Sequence, residues 1–324
     1  MTRMTRRLML GATLAALCAS AALAQDYPTR PVTVIIPFAG GSASDVVTRI
    51  MLDKMSKQMG QPLIVENRPG AGGNTGTMAG AKAPPDGYTI VGSGSGPFAA
   101  NVSLYKDLGY DPLKDFEIIT PFAYFNIVIV ASAKLPVKNL QELIAYAKAH
   151  PGELNYGSVG IGSSQHLGGE YFQQVAGVKI THVPYRNIAQ YGPDLIAGQV
   201  PLGFQWLPNV NAPLKTGGAK ALAVAAAKRM PALPEVPTTA EAGLPDYVAA
   251  GWFAMAAPKG TPKPIIDKLN REMAAALADP EVRGKILQQG AEVSVMPPAE
   301  AAKFVAAELK KWDGIIAKAG IPKI

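Results

Sequence analysis

VTVIIPFAGGSASDVVTRI, from Val32 to Ile50, and LNYGSVGIGSSQHLGGEYF, from Leu154 to Phe172, are built from the same parts in the same order. A strand-forming run leads through a Gly/Ser cluster into an amphipathic helix opened by serine with Asp45 in the first copy and Gln165 in the second. The first turn of a helix has unpaired N–H groups and a partial positive charge, so each junction aims donors at whatever lies beyond the strand ends. Two such junctions predict two α/β lobes that close on one small carboxylate-like ligand. Gly40 and Gly41 allow close backbone approach, Ser42 or Ser44 can cap, and Asp45 falls in the first turn; in the second copy Gly160 and Gly162 precede Ser163, Ser164, Gln165 and His166. Ordinary capping is the plainer reading of either copy alone. Their repetition favours anion capture.

The amino terminus places Arg3, Arg6 and Arg7 before an apolar run from Leu8, which ends in Ala22-Leu23-Ala24. This predicts a secretory signal over residues 1–24, cut before Gln25, and a periplasmic mature protein. The run is barely long enough to span a membrane. Thr5-Arg6-Arg7 resembles a twin-arginine signal, which leaves the export route open. The one cysteine, Cys18, lies inside the leader after Leu17, where lipoprotein processing needs a small residue, so the mature chain is thiol-free. Disulfides and thiolate metal sites are thereby excluded. Loss of three basic residues with the leader leaves 28 against 24 acids, a net charge of +4. Lys and Arg are scattered, with no run longer than Lys310-Lys311. That pattern argues against a nucleic-acid face and suits a small anion.

Strand-like and helix-like runs alternate, which predicts an α/β fold with mainly parallel sheets flanked by helices. Strands are expected at Val32–Ile36, Leu63–Val65, Tyr88–Val91, Ile127–Val130, Leu154–Gly157, Ile180–Val183, Val200–Phe204, Ala221–Ala225 and Trp252–Ala256. Val46, Val47, Ile50, Met51, Met55 and Met59 form a helical stripe ended by Gly60, with its methionines read as core filler. Helices are also expected over Leu140–Ala149, Ile265–Ala278, Glu281–Gln289 and Ala299–Ala319. The Gly-rich stretch Asn67–Thr77 lacks the Gly-Lys-Ser/Thr ending of a P-loop and the third glycine of a dinucleotide fingerprint, so it reads as a structural loop leading into a helix.

Traces of catalysis are few. His150, His166 and His182 stand apart with no metal-ligand spacing, and Gly92-Ser93-Gly94-Ser95-Gly96 has glycine where a nucleophile elbow needs serine. No metal or cofactor is expected. A triad assembled from distant residues, such as His166 with a serine, is the rival reading, and a ligand sensor for a signalling partner is another.

Several ordered motifs resemble one family from end to end: Tyr27-Pro-Thr-Arg-Pro31, Pro37-Phe38 with its Gly/Ser loop and Asp45, Val65-Glu66-Asn67-Arg68-Pro69-Gly70-Ala71-Gly72-Gly73-Asn74, and Pro85-Asp86-Gly87-Tyr88-Thr89. The likeness continues through Leu154-Asn155-Tyr156, His182-Val183-Pro184-Tyr185, Leu233-Pro234-Glu235-Val236-Pro237-Thr238, Glu241-Ala242-Gly243-Leu244-Pro245 and Asp279-Pro280-Glu281-Val282-Arg283. These resemble the Bug-type extracytoplasmic solute receptors of tripartite tricarboxylate transporters. The resemblance implies a monomeric two-lobed type II Venus flytrap, with residues 25–129 and 251–324 in one lobe and 130–250 in the other. It implies a non-enzymatic receptor that hands an organic acid to membrane components of the transporter. Ligand contacts are implied for Phe38, Gly41, Ser42, Ala43, Ser44 and Asp45 on one side, and for Ser158, Gly162, Ser163, Ser164 and His166 on the other. Ser95, Phe98, Asn101, Gln205 and Trp206 complete the expected set.

Three departures from the family pattern bear on the ligand. Ser42 stands where a second glycine is usual, Pro97-Phe98 where a Thr-His pair often occurs, and Phe204-Gln205-Trp206 where Phe-Asp is common. Gln205 cannot supply a negative partner for an ammonium group, which favours an acid without an amine. Phe98 and Trp206, if they face the cleft, offer flat apolar surface to an aromatic or aliphatic mono- or dicarboxylate.

Overall fold

A computed structural model describes residues 27–319 and 321–323. The expected leader, with Cys18, lies outside these residues. In chain order the elements are β1 (Val32–Ile36), α1 (Ala43–Met59), β2 (Leu63–Asn67), α2 (Asn74–Ala81), β3 (Thr89–Gly94), α3 (Asn101–Leu104), β4 (Phe116–Asn126), β5 (Val128–Ser132), α4 (Leu140–Ala149), β6 (Asn155–Ser158) and α5 (Ser164–Ala176). They continue with β7 (Thr181–Pro184), α6 (Tyr191–Ala197), β8 (Leu202–Gln205), α7 (Leu207–Lys215), β9 (Ala219–Val224), β10 (Ala250–Pro258), α8 (Lys263–Ala278), α9 (Pro280–Gln288), β11 (Ala291–Val293) and α10 (Pro298–Ala319).

These strands form two sheets, in the orders β11-β4-β10-β3-β1-β2 and β7-β6-β8-β5-β9. Both are mixed rather than mainly parallel. In the first, β1 pairs in parallel with β2 and β3, but β10 is antiparallel to β3 and β4. In the second, β6 is parallel to β7 and β8, while β5 is antiparallel to β8 and β9. The sequence reading has no strand where β4 lies, because Pro121 interrupts its apolar run. The strand survives because the register with β10 shifts between Phe253 and Ala254, beside the Ala254–Pro121 pair, where a missing N–H is tolerated.

The chain passes between the sheets twice, from β4 to β5 and from β9 to β10, and three backbone segments meet at the crossing. Ile127 N–H donates to Ala249 O at 3.0 Å, Ala225 N–H to Ile127 O at 2.8 Å, and Ala249 N–H to Ala225 O at 3.3 Å. Trp206 stacks on Phe125 at 5.0 Å between ring centroids and meets Phe253 edge-on at 4.9 Å, so aromatic packing joins the sheets next to these crossings.

The expected helical stripe is core. Val47, Met51 and Met55 of α1 are fully buried with Leu269 and Met273 of α8, and Gly60 closes α1 in the left-handed conformation at φ 67°. Replacing Met51 with alanine removes buried volume that the surrounding packing cannot refill. Met51→Ala should therefore lower unfolding stability by about 2–5 kcal/mol, read from urea denaturation midpoints.

Candidate functional site

Parallel strands leave their carboxyl ends, and the loops that follow them, on one side of each sheet, which is where crevices form in α/β proteins. Here the two sets of loops face each other around a cavity of about 280 Å³. Pro37, Phe38, Ala39 and Ser42 follow β1, and Pro69 to Gly72 follow β2. Val159, Gly160 and Ile161 follow β6, Pro184 ends β7 with Tyr185, Arg186 and Ile188 beyond it, and Tyr105 after α3 closes a side. Tyr105 donates to Ile161 O at 3.0 Å across the cleft. Gly72, at φ 62°, meets the same carbonyl so closely that a β-carbon there would fall 1.9 Å from it. The Gly-rich loop thus leads into a helix, as its sequence suggests, and also walls the cavity.

At the first junction the donors of α1 are left without a side-chain cap. Ser42 holds the N-cap position, but its hydroxyl shares a 3.0 Å hydrogen bond with Ser44 Oγ. Ala43 N–H instead donates across the cleft to Asn209 Oδ1 at 3.1 Å, and Asn209 Nδ2 in turn donates to Gln205 Oε1 at 3.0 Å. Asp45 turns back into its own loop: it accepts from Gly41 N–H at 2.9 Å, from Arg49 Nε at 2.9 Å and from Asn67 Nδ2 at 3.0 Å. Burial opposes ionisation of Asp45, but these hydrogen bonds outweigh it and hold its carboxyl below the usual range.

The second junction is capped. Ser163 Oγ accepts from His166 N–H at 3.3 Å and donates to Gly160 O at 2.7 Å, while Gly162 N–H donates to His166 Nδ1 at 3.2 Å. That last bond puts the proton of neutral His166 on Nε2. Gly162 adopts φ 82°, and a β-carbon there would fall 2.1 Å from Asn101 Oδ1, so both conformation and space require glycine. His182 packs beside His166 with ring centroids 4.2 Å apart, and its Nε2 lies 2.6 Å from Ser158 Oγ. Burial pushes His166 down to about 4, and burial with His166 alongside pushes His182 down to about 3.

Between the junctions lies a smaller chamber of about 10 Å³, bordered by Phe38, Ser42, Ala43, Ser44, Val159, Gln165, Trp206 and Asn209. It has room for about one water-sized group. Phe38, Ser42 and Val159 border the larger cavity as well, which makes the two spaces neighbours. Gln165 is fully buried with both amide atoms unpartnered, and the Trp206 indole N–H is buried without an acceptor. A buried polar group left unpaired costs about 1–3 kcal/mol, so two such side chains beside an uncapped helix end form a polar centre in need of a partner.

Comparison with known proteins shows the family. The family model described as tripartite tricarboxylate transporter family receptor matches residues 47–321. The chain belongs to this family. The receptor is 37% identical over 298 residues to protein BugT of Bordetella pertussis, covering 92% of this chain and 91% of that one. Its fold matches the periplasmic binding protein BugD with a TM-score of 0.87 and 37% identity over 92% of this chain and 100% of that one. A Rhodopseudomonas palustris protein solved with adipate matches with a TM-score of 0.89 and 38% identity, over 92% of this chain and 100% of that one.

Within the receptor the sequence-derived residues separate by position. Phe38, Ser42, Ala43, Ser44 and Trp206 border the cavity or the inner chamber. Gly41, Asp45, Ser158, Gly162, Ser163 and His166 shape the two loops through the bonds described above. Ser164 shares a 2.7 Å hydrogen bond with Ser95, whose hydroxyl also accepts from Trp252 N–H at 3.4 Å, so this pair ties the sheets together. Asn101 Nδ2 donates to Asn74 Oδ1 at 2.5 Å. Gln205 donates to Gly157 O at 2.8 Å and orients Asn209 rather than bordering either space.

Phe98 does not face the cleft. The segment after β3 coils into a helical turn, Gly96–Ala100, which rotates Phe98 into the core, edge-on to Phe116 at 5.3 Å. Gln165 stands in the second junction of the sequence reading but outside its expected ligand contacts, and Asn209, Tyr105, Arg186 and the Gly70–Gly72 backbone are absent from that set as well. Asn209 lies in the first turn of a third strand-to-helix junction, β8 to α7, so the rule applied to the first two junctions would have pointed to it.

The two neutral histidines give the receptor a defined acid sensitivity. The ordinary value is 6.5, so as pH falls below it the unfolded chain takes up protons that the folded chain refuses until about 4 and 3. Stability should fall between about pH 6.5 and 4, by up to about 1.4 kcal/mol per pH unit for each histidine. Urea denaturation at a series of pH values measures this slope, and His166→Gln should flatten it.

Proposed function

We propose that the receptor captures an amine-free organic acid in the periplasm, seats one oxygen of its carboxylate in the inner chamber, and delivers it to the membrane components of its transporter. The observation that carries this reading is the pair of stranded polar groups, Gln165 and the Trp206 indole, beside the uncapped first turn of α1. A carboxylate accepts from the Gln165 amide, the indole N–H and the helix-end N–H groups at once, and the positive end of the helix favours its charge. Asn209 Oδ1 presents to Ala43 N–H the kind of oxygen that a carboxylate would. Among the described residues no aspartate or glutamate borders either space, and Asp45 is committed to Gly41, Arg49 and Asn67, so an ammonium group finds no anionic partner there. The adipate bound by the Rhodopseudomonas relative is an acid of this class.

Residues 25–129 and 251–324 move as one lobe against residues 130–250, about the crossing near Ile127, Ala225 and Ala249. Leader removal precedes binding, and the mature protein works as a monomer. A hydrolytic role has less support. Ser158 is buried, bonded to His182 and to both Gly160 N–H and Gly160 O, and borders neither space.

Gln165→Leu supplies the test, because it removes two unpartnered polar atoms while keeping most of the volume. Thermal stability should hold or rise, and affinity for carboxylates should fall by about tenfold to a hundredfold, the value of charge-assisted hydrogen bonds. Calorimetric titration of the mature protein measures the second quantity, and unchanged affinity would remove the chamber from the site. Turnover of an ester panel by the same preparation would favour the hydrolase instead.

A further inference from the structure

The larger cavity has a feature that capture of a single carboxylate leaves unused. Among the described residues Arg186 is the only charged residue that borders it, and none of their carboxylates lies within 4.0 Å of its guanidinium. The neighbouring phenols are already committed: Tyr105 donates to Ile161 O and Tyr185 to Asp194 Oδ2. Both therefore act as ring walls, and the guanidinium remains as the strong donor set of the cavity.

Position gives this donor a role. Phe38, Ser42 and Val159 border both the inner chamber and the larger cavity, whereas Arg186 borders only the larger one. A ligand with a carboxylate oxygen in the chamber passes Phe38 and Val159, which border both spaces, into a cavity that Pro37, Ile161 and Arg186 also border. Those walls are apolar and suit a hydrocarbon stem, and a guanidinium at the far end suits a planar anion held by two parallel N–H donors.

We propose that Arg186 anchors a second carboxylate, so that the preferred ligand is a dicarboxylate whose two acid groups are separated by an apolar chain. This rests on the proposed seat of the first carboxylate and assigns Arg186 as the residue that distinguishes diacids from monoacids. An apolar monoacid of the same length fills the stem region but offers the guanidinium no partner.

The test is calorimetric titration of the mature full-length protein with glutarate, adipate and pimelate, each against the monoacid of equal carbon number. The expected result is a preference of about tenfold or more for the best diacid over its monoacid. Arg186→Gln should collapse that ratio towards one, and Arg186→Lys, which keeps the charge but loses the fork, should retain part of it. Arg186 is exposed, so circular dichroism and thermal melting should be unchanged in both variants. A ratio near one in the unaltered protein, or one that Arg186→Gln leaves intact, would overturn the inference while the carboxylate reading stands. Failure of every acid in both series to bind would overturn the carboxylate reading, and the inference with it.

Discussion

The N–H of Ala43 has no partner within its own helix, and the rest of the site is organised around that fact. A helix end that is neither capped nor solvated must be met from elsewhere. Here it is met by Asn209, 166 residues away and on the opposite sheet. The contact links the carboxyl ends of two separate sets of parallel strands. It also turns Ala43 N–H towards the other lobe, while Asp45, two residues on, is turned aside to serve its own loop.

The two junctions that look equivalent in sequence are physically unequal. The second is self-sufficient, with Ser163 accepting from His166 N–H and His166 accepting from Gly162 N–H. Its loop is rigid and its imidazole stays neutral, so it contributes shape. The first is incomplete, and beside it lie Gln165, from the first turn of α5, and Trp206, whose polar atoms are buried without partners among the described residues. Groups of this kind are costly to fold around, and they are retained where a ligand repays the deficit. The aromatic packing of Trp206 on Phe125 and Phe253 fixes the indole edge in place beside the crossing strands.

Much of the fold was legible because strands and helices follow local rules. The methionine stripe, the glycine stop at Gly60 and the segments flanking both Gly/Ser loops are periodic over short windows, and the structure places them where those periods put them. β4 was missed because Pro121 looks like a terminator until the partner strand's register shift makes room for it. The mixed character of the sheets was missed for a related reason: strand direction is set by which strands pair, and β10 pairs with β3 and β4 only after more than a hundred residues have folded into the other sheet.

Sequence alone determined that two helix N-termini would follow two strand ends, that the one cysteine would stand at position 18, ahead of the first strand, and that its family would be that of solute receptors. Backbone hydrogen-bonding rules and short-range periodicity are sufficient for such statements, and family motifs are read in order along the chain. Tertiary structure decided which polar groups are satisfied and which are not. It turned Phe98 inward, tied Asp45 to Arg49 and Asn67, stranded the Gln165 amide, and left Arg186 on a cavity wall without an acid beside it. Satisfaction is a property of neighbours in space, and these neighbours are supplied by distant parts of the chain.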